Sequence, residues 1–461
     1  MTRRLPLPLG PEHAVLGVAA LAVGLLAGID PRLAVAAAVG STFVLVVLVD
    51  ITAGLCVFAV LIFAEQVPAL GGPALSFSKL AGLLLAVSWL AYLTTHGARG
   101  RNFMAVHGTF TLVLGAFLTW AALSTLWAES PIAGAGSVVR YSLNVLLFLI
   151  VFTAASTRSR ALAVIVAFVA AATLSAIFGL VTPAQFDEGE GLTRFGGSVG
   201  EPNEFAALVG AALMLAAALA AAAVRAPALR LAAIGSAGLC TATMFLSLSR
   251  AALVALASGL LVAVAVAGRY RGAAAVVAVV IGVSGVTYFA VLAPPESRER
   301  VTYAEGGSGR TDIWTVGWRM VEDEPLRGIG AGNFQTTSVH YLLEPGAIER
   351  DEFIVDQPKV AHNIYLQVLA ELGVVGLALF LAILGFSLVC ALKAAKRFNA
   401  AGDGQMAIIS RGLVVALVAL LAADFFASEQ HSKQLWLLLG LAPSLLAVAH
   451  ASTPAPDWAR A

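Results

Sequence analysis

The chain has few charged residues and few cysteines. Of its 461 residues only 12% are Asp, Glu, Lys or Arg, whereas 59% are hydrophobic and the mean hydropathy is +0.90. This apolar share is far above that of a soluble domain, so the composition predicts an integral membrane protein. The net charge of +1 gives no electrostatic basis for binding nucleic acid. Cys56, Cys240 and Cys390 lie in separate apolar runs, which is typical of core residues rather than of disulfides or a metal site.

Short signatures of metal and nucleotide chemistry are also missing. The sequence contains no HExxH motif, no paired cysteines, no Asp-rich ligand spacing and no Walker loop. The glycine-rich run 328–334 has the wrong spacing for a dinucleotide fingerprint, and no strand precedes it. We therefore expect no metal, no other cofactor and no direct use of ATP.

What the chain does contain is a series of long apolar runs. A helix needs roughly twenty predominantly apolar residues to cross a bilayer, and about 17 to 25 are tolerated. Fourteen such runs predict an all-α integral membrane protein with a polytopic helical bundle. Because the second and third runs are short and separated only by Asp50, the predicted number of helices is about 12 to 14. The runs are 13–29, 33–49, 51–67, 77–95, 107–127, 138–156, 160–181, 203–224, 229–248, 250–267, 273–292, 363–391, 406–427 and 434–450.

The connections between these runs alternate in charge. Cytoplasmic loops of membrane proteins are rich in Lys and Arg. With the N-terminus inside, the inward connections after the fourth run are all basic, whereas outward connections carry Glu65, Glu129, the acidic run 187–190 and Glu429. We therefore expect both termini in the cytoplasm and the turns at 249–250 and 428–431 outside. The basic residues of the inward connections are Arg99, Arg101, Arg158, Arg160, Arg225, Arg230, Arg269, Arg271, Lys393, Lys396, Arg397 and Arg411.

One long polar segment follows the eleventh run. Residues 292–361 hold nineteen of the chain's 28 basic and 27 acidic residues. The sequence therefore predicts eleven spans in 1–292, a large non-cytoplasmic loop at 293–361 and three further spans in 362–461, all within one integrated membrane domain.

The long segment also predicts a short amphipathic helix at 312–321, which begins after Arg310 with an N-cap at Thr311-Asp312. Trp314 and Trp318 are four residues apart and share a helical face, and tryptophan favours the membrane interface. We expect this helix to lie on the outer membrane surface, with a simple lid anchor as the alternative. Its other apolar residues are Ile313, Val316 and Met320.

Two arginines at the outward ends of spans are candidates for anion binding. Arg250 lies between two apolar stretches with almost no loop, where a charged side chain either pairs with an anion or snorkels to the interface. Arg194 lies in the turn-rich segment 192–204, whose glycines and proline predict a specific shape. Taken alone, Arg194 is equally well explained as a solvated loop charge.

His362 stands at the start of the twelfth run. Asn363 is a good N-cap residue, which places His362 beside the positive end of a helix. That position disfavours imidazolium, so we expect a neutral imidazole able to accept a proton. The alternative is a histidine that only forms a hydrogen bond at the interface. His340 and His431 are further outward histidines in weaker contexts.

Together these residues suggest one chemistry. Arginines bind phosphate oxygens and stabilise a leaving diphosphate, and a histidine base can deprotonate an attacking hydroxyl. A polyprenyl-diphosphate-linked glycan contains both a membrane-embedded anion and a transferable sugar.

The same set of residues resembles the O-antigen ligase and O-antigen polymerase superfamily of bacterial envelope glycosyltransferases. The most specific match is Ala361-His362-Asn363-Ile364-Tyr365-Leu366-Gln367, and the resemblance is sharp over about 190–380. The other matching segments are 197–204, 249–250, 310–314, 325–334 and 371–376.

The resemblance implies a metal-independent enzyme of the bacterial inner membrane, with its site on the outer face and an undecaprenyl-diphosphate-linked glycan as donor. It implies that Arg194 and Arg250 hold the donor diphosphate, with Arg310 in a lesser role, and that His362 activates the acceptor hydroxyl. The residues expected to support them are Glu201, Asn203 and Asn363.

Ligase and polymerase members differ mainly in their acceptor, which is a lipid A-core sugar or another lipid-linked repeat unit. We favour a ligase, with a polymerase as the alternative and a protein O-glycosyltransferase as a third possibility. A transporter would need polar residues near the bilayer midplane or broken helices in repeated halves. The apolar runs here consist mostly of Ala, Leu, Val and Gly and show no internal repeat, so a transporter is disfavoured.

Overall fold

In the computed structural model, the described part of the chain is all-helical, which confirms the predicted fold class. No β-strand occurs within these residues. The described residues are 21, 24–28, 31–65, 67, 77–96, 102–182, 194–293, 295, 310–342 and 359–452.

Fourteen helices of ten or more residues occur in these ranges. A π-helical turn, Tyr288–Leu292, extends the tenth helix, and single turns lie at Phe103–Val106 and Phe334–Thr337. The helices are α1 Pro31–Val49, α2 Ile51–Leu61, α3 Phe77–His96, α4 Gly108–Leu123, α5 Pro131–Ala154, α6 Arg158–Val181, α7 Pro202–Ala222, α8 Pro227–Leu246, α9 Arg250–Val266, α10 Arg271–Thr287, α11 Arg310–Asp323, α12 Ile364–Ala400, α13 Gly404–Ala423 and α14 Lys433–Ser452.

Ten stretches of helix in the described residues are long and apolar enough to cross a bilayer. Three further apolar helices are shorter: Gly40–Val49 within α1, Ile51–Leu61 and Arg250–Val266. These agree with the predicted runs, except that most of the run 13–29 lies outside the described residues. The chain is a multi-pass membrane protein.

Helices α7, α13 and α14 form the centre of the bundle, because most of their residues are buried inside the protein. Helix α12 packs against α13, α14 and α4, and α5 packs against α14. Small residues permit close approach: a Cβ placed on Gly412 of α13 would lie 2.3 Å from the Cβ of Ala218 in α7. Helix α10, in contrast, has almost no buried residues and presents an apolar surface outward.

Helix α12 is broken near its start. Gly373 has φ 65° and ψ −172°, which lies outside the helical region. Glycine adopts such a positive φ more readily than any other residue. The break separates the short segment 364–372 from the long segment 374–400. The sequence predicted a span at 363–391, and a helix long and apolar enough to cross a bilayer covers this range from Ile364 onward. The break at Gly373 was not predicted, because a glycine in an apolar run gives no sign of a kink.

A glycine-rich strap, residues 325–333, fits against this break. The N–H of Val374 donates to the carbonyl of Pro325 at 2.9 Å, so the strap satisfies a donor that the broken helix leaves open. In the opposite direction, the N–H groups of Ile329 and Gly330 donate to carbonyls of the short segment, at 3.0 and 2.9 Å. The accepting residues are Ala370 and Glu371.

Two tryptophans, Trp120 in α4 and Trp127 in the α4–α5 connection, contact the break and the strap from the other side. The indole N–H of Trp127 donates to the carbonyl of Gly328 at 2.9 Å. That of Trp120 donates to the carbonyl of Leu372 at 2.8 Å. The strap is therefore enclosed between α12 and the end of α4.

Helix α11 covers the predicted amphipathic run 312–321, and its apolar side is buried against α12. Its two tryptophans differ, however. Trp318 is exposed, whereas Trp314 is half-buried and donates its indole N–H to the carbonyl of Ala361 at 2.9 Å. The two side chains therefore do not share one interfacial role, because Trp314 packs against the α13–α14 turn (residues 424–432).

The close fit of the strap predicts a strong response to a small substitution. Gly332 has φ +67°, and an added Cβ would lie 2.7 Å from the carbonyl oxygen of Ala133 and 2.9 Å from the Cβ of Ser137. We expect Gly332→Ala to destabilise the fold by about 2 kcal/mol or more, as strain and overlap add. Thermal unfolding of the purified protein in detergent measures this change.

Gly136→Ala is the matched control in α5. A Cβ at Gly136 has no neighbour within 4 Å, and the residue is helical and exposed. Alanine there should be neutral or stabilise by up to about 1 kcal/mol. Equal melting temperatures for the two variants would contradict the close packing of the strap.

Candidate functional site

Arg194 is a buried residue that braces the turn between α8 and α9. Its side chain is only 2% exposed. Its Nε donates to the carbonyl of Ser247 at 3.2 Å, and its Nη2 donates to Oδ1 of Asn203 at 3.0 Å. Arg194 is therefore not a solvated loop charge.

Asn203 connects three elements. Its Oδ1 accepts from Arg194 and also from the Ser249 hydroxyl at 2.8 Å, while its Nδ2 donates to Oε1 of Glu201 at 2.7 Å. Glu201 is the N-cap of α7, since its Oε2 accepts the N–H of Glu204 at 2.5 Å. The predicted supporting residues Glu201 and Asn203 thus lie together, and Asn203 is in direct contact with Arg194.

Arg250 is the first residue of α9 and is exposed. Ser249 caps this helix, because its hydroxyl accepts the N–H of Ala252 at 3.3 Å. The same hydroxyl donates to Asn203. One asparagine therefore joins buried Arg194 to the helix end from which exposed Arg250 extends.

His362 is half-buried and has a left-handed backbone, with φ +49°. Non-glycine residues adopt this region rarely, and at functional sites more often than elsewhere. Asn363 is the N-cap of α12, as predicted: its Oδ1 accepts the N–H groups of Tyr365 and Leu366 at 3.0 and 3.1 Å. His362 therefore lies immediately before a capped helix start, opposite α11.

The α13–α14 turn contacts both Arg310 and the helical segment that follows His362. The sequence had indicated only that this turn faces outward. The guanidinium of Arg310 lies 5.9 Å from the ring centre of Phe426, within reach of a cation–π interaction. The Ser428 hydroxyl donates to Oε1 of Gln367 at 3.2 Å, one helical turn after His362. Sequence reasoning missed Gln367, Ser428 and Phe426 because their roles depend on contacts between distant segments.

Acidic residues lie on the side of this turn that faces α7. Burial, together with the negative charge of nearby Glu201, raises the pKa of Glu429 to about 7. Asp424 is fully buried, and neither of its carboxyl oxygens has a hydrogen-bond partner in the described structure. The site therefore combines arginines with the Glu429 carboxyl, whose pKa is raised by burial, and with the fully buried side chain of Asp424.

The other two outward histidines lie elsewhere. The pKa of His431 is lowered to about 3 by burial and by the positive charge of Arg140, so its imidazole is neutral. Its Nε2 lies 3.1 Å from the hydroxyl of Ser137 inside the bundle. His340 is exposed and lies 3.4 Å from the carboxylate of Glu129. Neither histidine has a direct contact with the residues around Asn203 or Gln367 among the contacts described.

The arrangement has the elements needed for group transfer from an anionic donor. Exposed Arg250 and half-exposed Arg310 can bind phosphate oxygens, and His362 can accept a proton. Among the described residues, no group of three or more His, Cys, Asp and Glu side chains is arranged to hold a metal ion.

Comparison with known protein families gives one match. Residues 235–381 match the family described as O-antigen ligase. The matched part includes Arg250, Arg310 and His362, whereas Arg194 precedes it. No curated protein matches the chain significantly. The part of the chain at residues 235–381 is therefore similar to the O-antigen ligase family, whose members are glycosyltransferase-like ligases or polymerases.

Proposed function

We propose that this protein is an O-antigen ligase-like glycosyltransferase of the bacterial inner membrane. It moves a glycan from an undecaprenyl-diphosphate carrier to an acceptor hydroxyl, on lipid A-core or another envelope acceptor. The observation that supports this most is the position of the α13–α14 turn, which contacts Arg310 through Phe426 and the segment beside His362 through Ser428. A proton acceptor and an anion-binding side chain thus adjoin one turn.

The diphosphate is bound by arginines at this surface. Arg250 extends from the capped start of α9, where the N-terminal helix dipole adds further positive potential. Arg310 is likewise the first residue of its helix, α11. Arg194 contributes from behind, because its buried guanidinium holds the Asn203 network in place and adds a fixed positive charge. Each side chain favours the extra negative charge on the leaving group.

His362 is the general base. Its imidazole takes the proton of the acceptor hydroxyl as that oxygen attacks the anomeric carbon of the donor sugar. The bond between this carbon and the phosphate oxygen breaks, and undecaprenyl diphosphate leaves with the electron pair. A single direct attack of this kind inverts the configuration at the anomeric carbon.

The reaction takes place on the outer face of the membrane. The alternation of basic connections puts the turns at 249–250 and 424–432 on one side, opposite the arginine-rich and lysine-rich connections. Both termini are then cytoplasmic, and the donor is used after its transfer across the membrane.

Removal of the base should abolish transfer without affecting folding. His362→Ala should lower the turnover rate by about a hundredfold or more, which is the usual contribution of a general base. The assay uses protein reconstituted in liposomes, with a polyprenyl-diphosphate-linked glycan prepared from the source strain. His340→Ala is the control, since that histidine is exposed and pairs only with Glu129 among its described contacts. Full transfer by His362→Ala would refute the assignment.

Replacing the guanidinium of Arg250 with an ammonium group should weaken donor binding. Arg250→Lys retains the charge but loses the two parallel hydrogen bonds that a guanidinium gives to phosphate. We expect about a ten- to hundredfold loss of kcat/KM for the donor in the same liposomes. Arg327→Lys is the control, because Arg327 of the strap is exposed and pairs with Glu324. Wild-type efficiency of Arg250→Lys would make Arg250 only an anchor at the interface.

Product size distinguishes the ligase from the polymerase. If the protein is a ligase, disruption of its gene should leave polymerised glycan on the lipid carrier, because only the final transfer is lost. Extraction of the carrier lipid followed by electrophoresis of the glycan measures this. Single repeat units on the carrier would instead identify a polymerase.

A further inference from the structure

Gln367 is a buried residue that the proposed mechanism leaves without a role. It lies in the short segment of α12 and is 2% exposed. Its Oε1 accepts the N–H of Ala361 at 2.7 Å and the hydroxyl of Ser428 at 3.2 Å. Its Nε2 donates to Oε1 of Glu371 at 2.5 Å. Every polar atom of the side chain is therefore used.

These contacts fix the residue immediately before His362. The N–H of Ala361 is held by Gln367, and its carbonyl is held by the indole of Trp314 at 2.9 Å. On the other side, Asn363 is fixed as the N-cap of α12. His362, in its left-handed conformation, thus lies between two residues that cannot move independently. The position of its imidazole depends on both.

Glu371 fixes the orientation of the Gln367 amide. One oxygen of Glu371 accepts from Nε2 of Gln367, and the other accepts the N–H of Gly332 at 2.8 Å. The backbone N–H of Ala361 can only donate, so the amide oxygen must face Ala361 and the amide nitrogen must face Glu371. The reverse orientation would set two acceptors against each other and two donors against each other.

We propose that Gln367 is a positioning residue for His362, and that Glu371 holds the Gln367 amide in the orientation this requires. The inference rests on the proposed function of His362 as the base. Gln367 joins that base to the glycine-rich strap through Glu371 and to the α13–α14 turn through Ser428. A base displaced by about 1 Å can lose a hundredfold in rate, so the pair acts on turnover rather than on donor binding.

Two substitutions of Gln367 test this in liposomes with the polyprenyl-diphosphate-linked glycan. Gln367→Met keeps the length of the side chain but removes its three hydrogen bonds, to Ala361, Ser428 and Glu371. We expect kcat to fall about ten- to a hundredfold, while KM for the donor changes less than about twofold. Gln434→Met is the matched control: Gln434 is 5% exposed and donates to the carbonyl of Ile62, away from His362. It should retain the wild-type kcat.

Gln367→Glu gives a readout that a purely structural role would not change. The introduced carboxyl can accept from Ala361, but it can donate to Glu371 only when the pair shares a proton. The activity of this variant relative to wild type should therefore rise as the pH falls from 8 to 6, on the order of several-fold. A ratio that does not change with pH would overturn the proposal, even if Gln367→Met fails to fold.

The outcomes separate this inference from the proposed function. Full activity of His362→Ala in the same assay would overturn the proposed function and the inference with it. Loss of activity in His362→Ala together with wild-type kcat in Gln367→Met would overturn the inference alone. An equal loss in Gln367→Met and Gln434→Met would also overturn it, because general destabilisation would then explain both.

Discussion

The hydrogen bonding of the broken helix α12 is the constraint on which the proposed site depends. Within a membrane protein, backbone N–H and C=O groups must find partners in the protein, and each unsatisfied group costs several kcal/mol. Gly373 breaks the helix, and the strap supplies partners at Ala370, Glu371 and Val374. The strap belongs to the long polar segment by sequence, yet its backbone supplies the hydrogen-bond partners that α12 lacks at its break. Loop and span are therefore one structural unit.

The two halves of the site follow from this unit in different ways. On one side, Glu371 contacts both the strap and Gln367, so the position of His362 is tied to the strap. On the other side, Asn203 organises the arginines without any contact to the strap among its described hydrogen bonds. The α13–α14 turn lies between these halves. The proposed base and the proposed anion-binding surface are thus held by separate hydrogen-bond networks among the described residues.

Most of the helices could be predicted from the sequence, because apolar length is a direct requirement of the bilayer and needs no tertiary information. Local signals also predicted α11 and the N-cap at Asn363. Burial of Arg194 and the kink at Gly373 could not be predicted, since both depend on partners far along the chain. The contact between Ser428 and Gln367 is of the same kind: two polar residues 61 positions apart carry no signal of proximity. The roles of the arginines and of His362 stay predictions.

The enclosure of the strap has a consequence for how the chain assembles during synthesis. Trp120 binds the carbonyl of Leu372 across 252 positions of sequence, and Trp127 binds that of Gly328 across 201. Helix α4 and the following connection are synthesised well before Gly328 and Leu372, so the strap and α12 pack against a part of the chain that is already present. The break in α12 therefore packs against helices that were synthesised earlier. The segment beside the proposed base is complete only after the α13–α14 turn has also been synthesised.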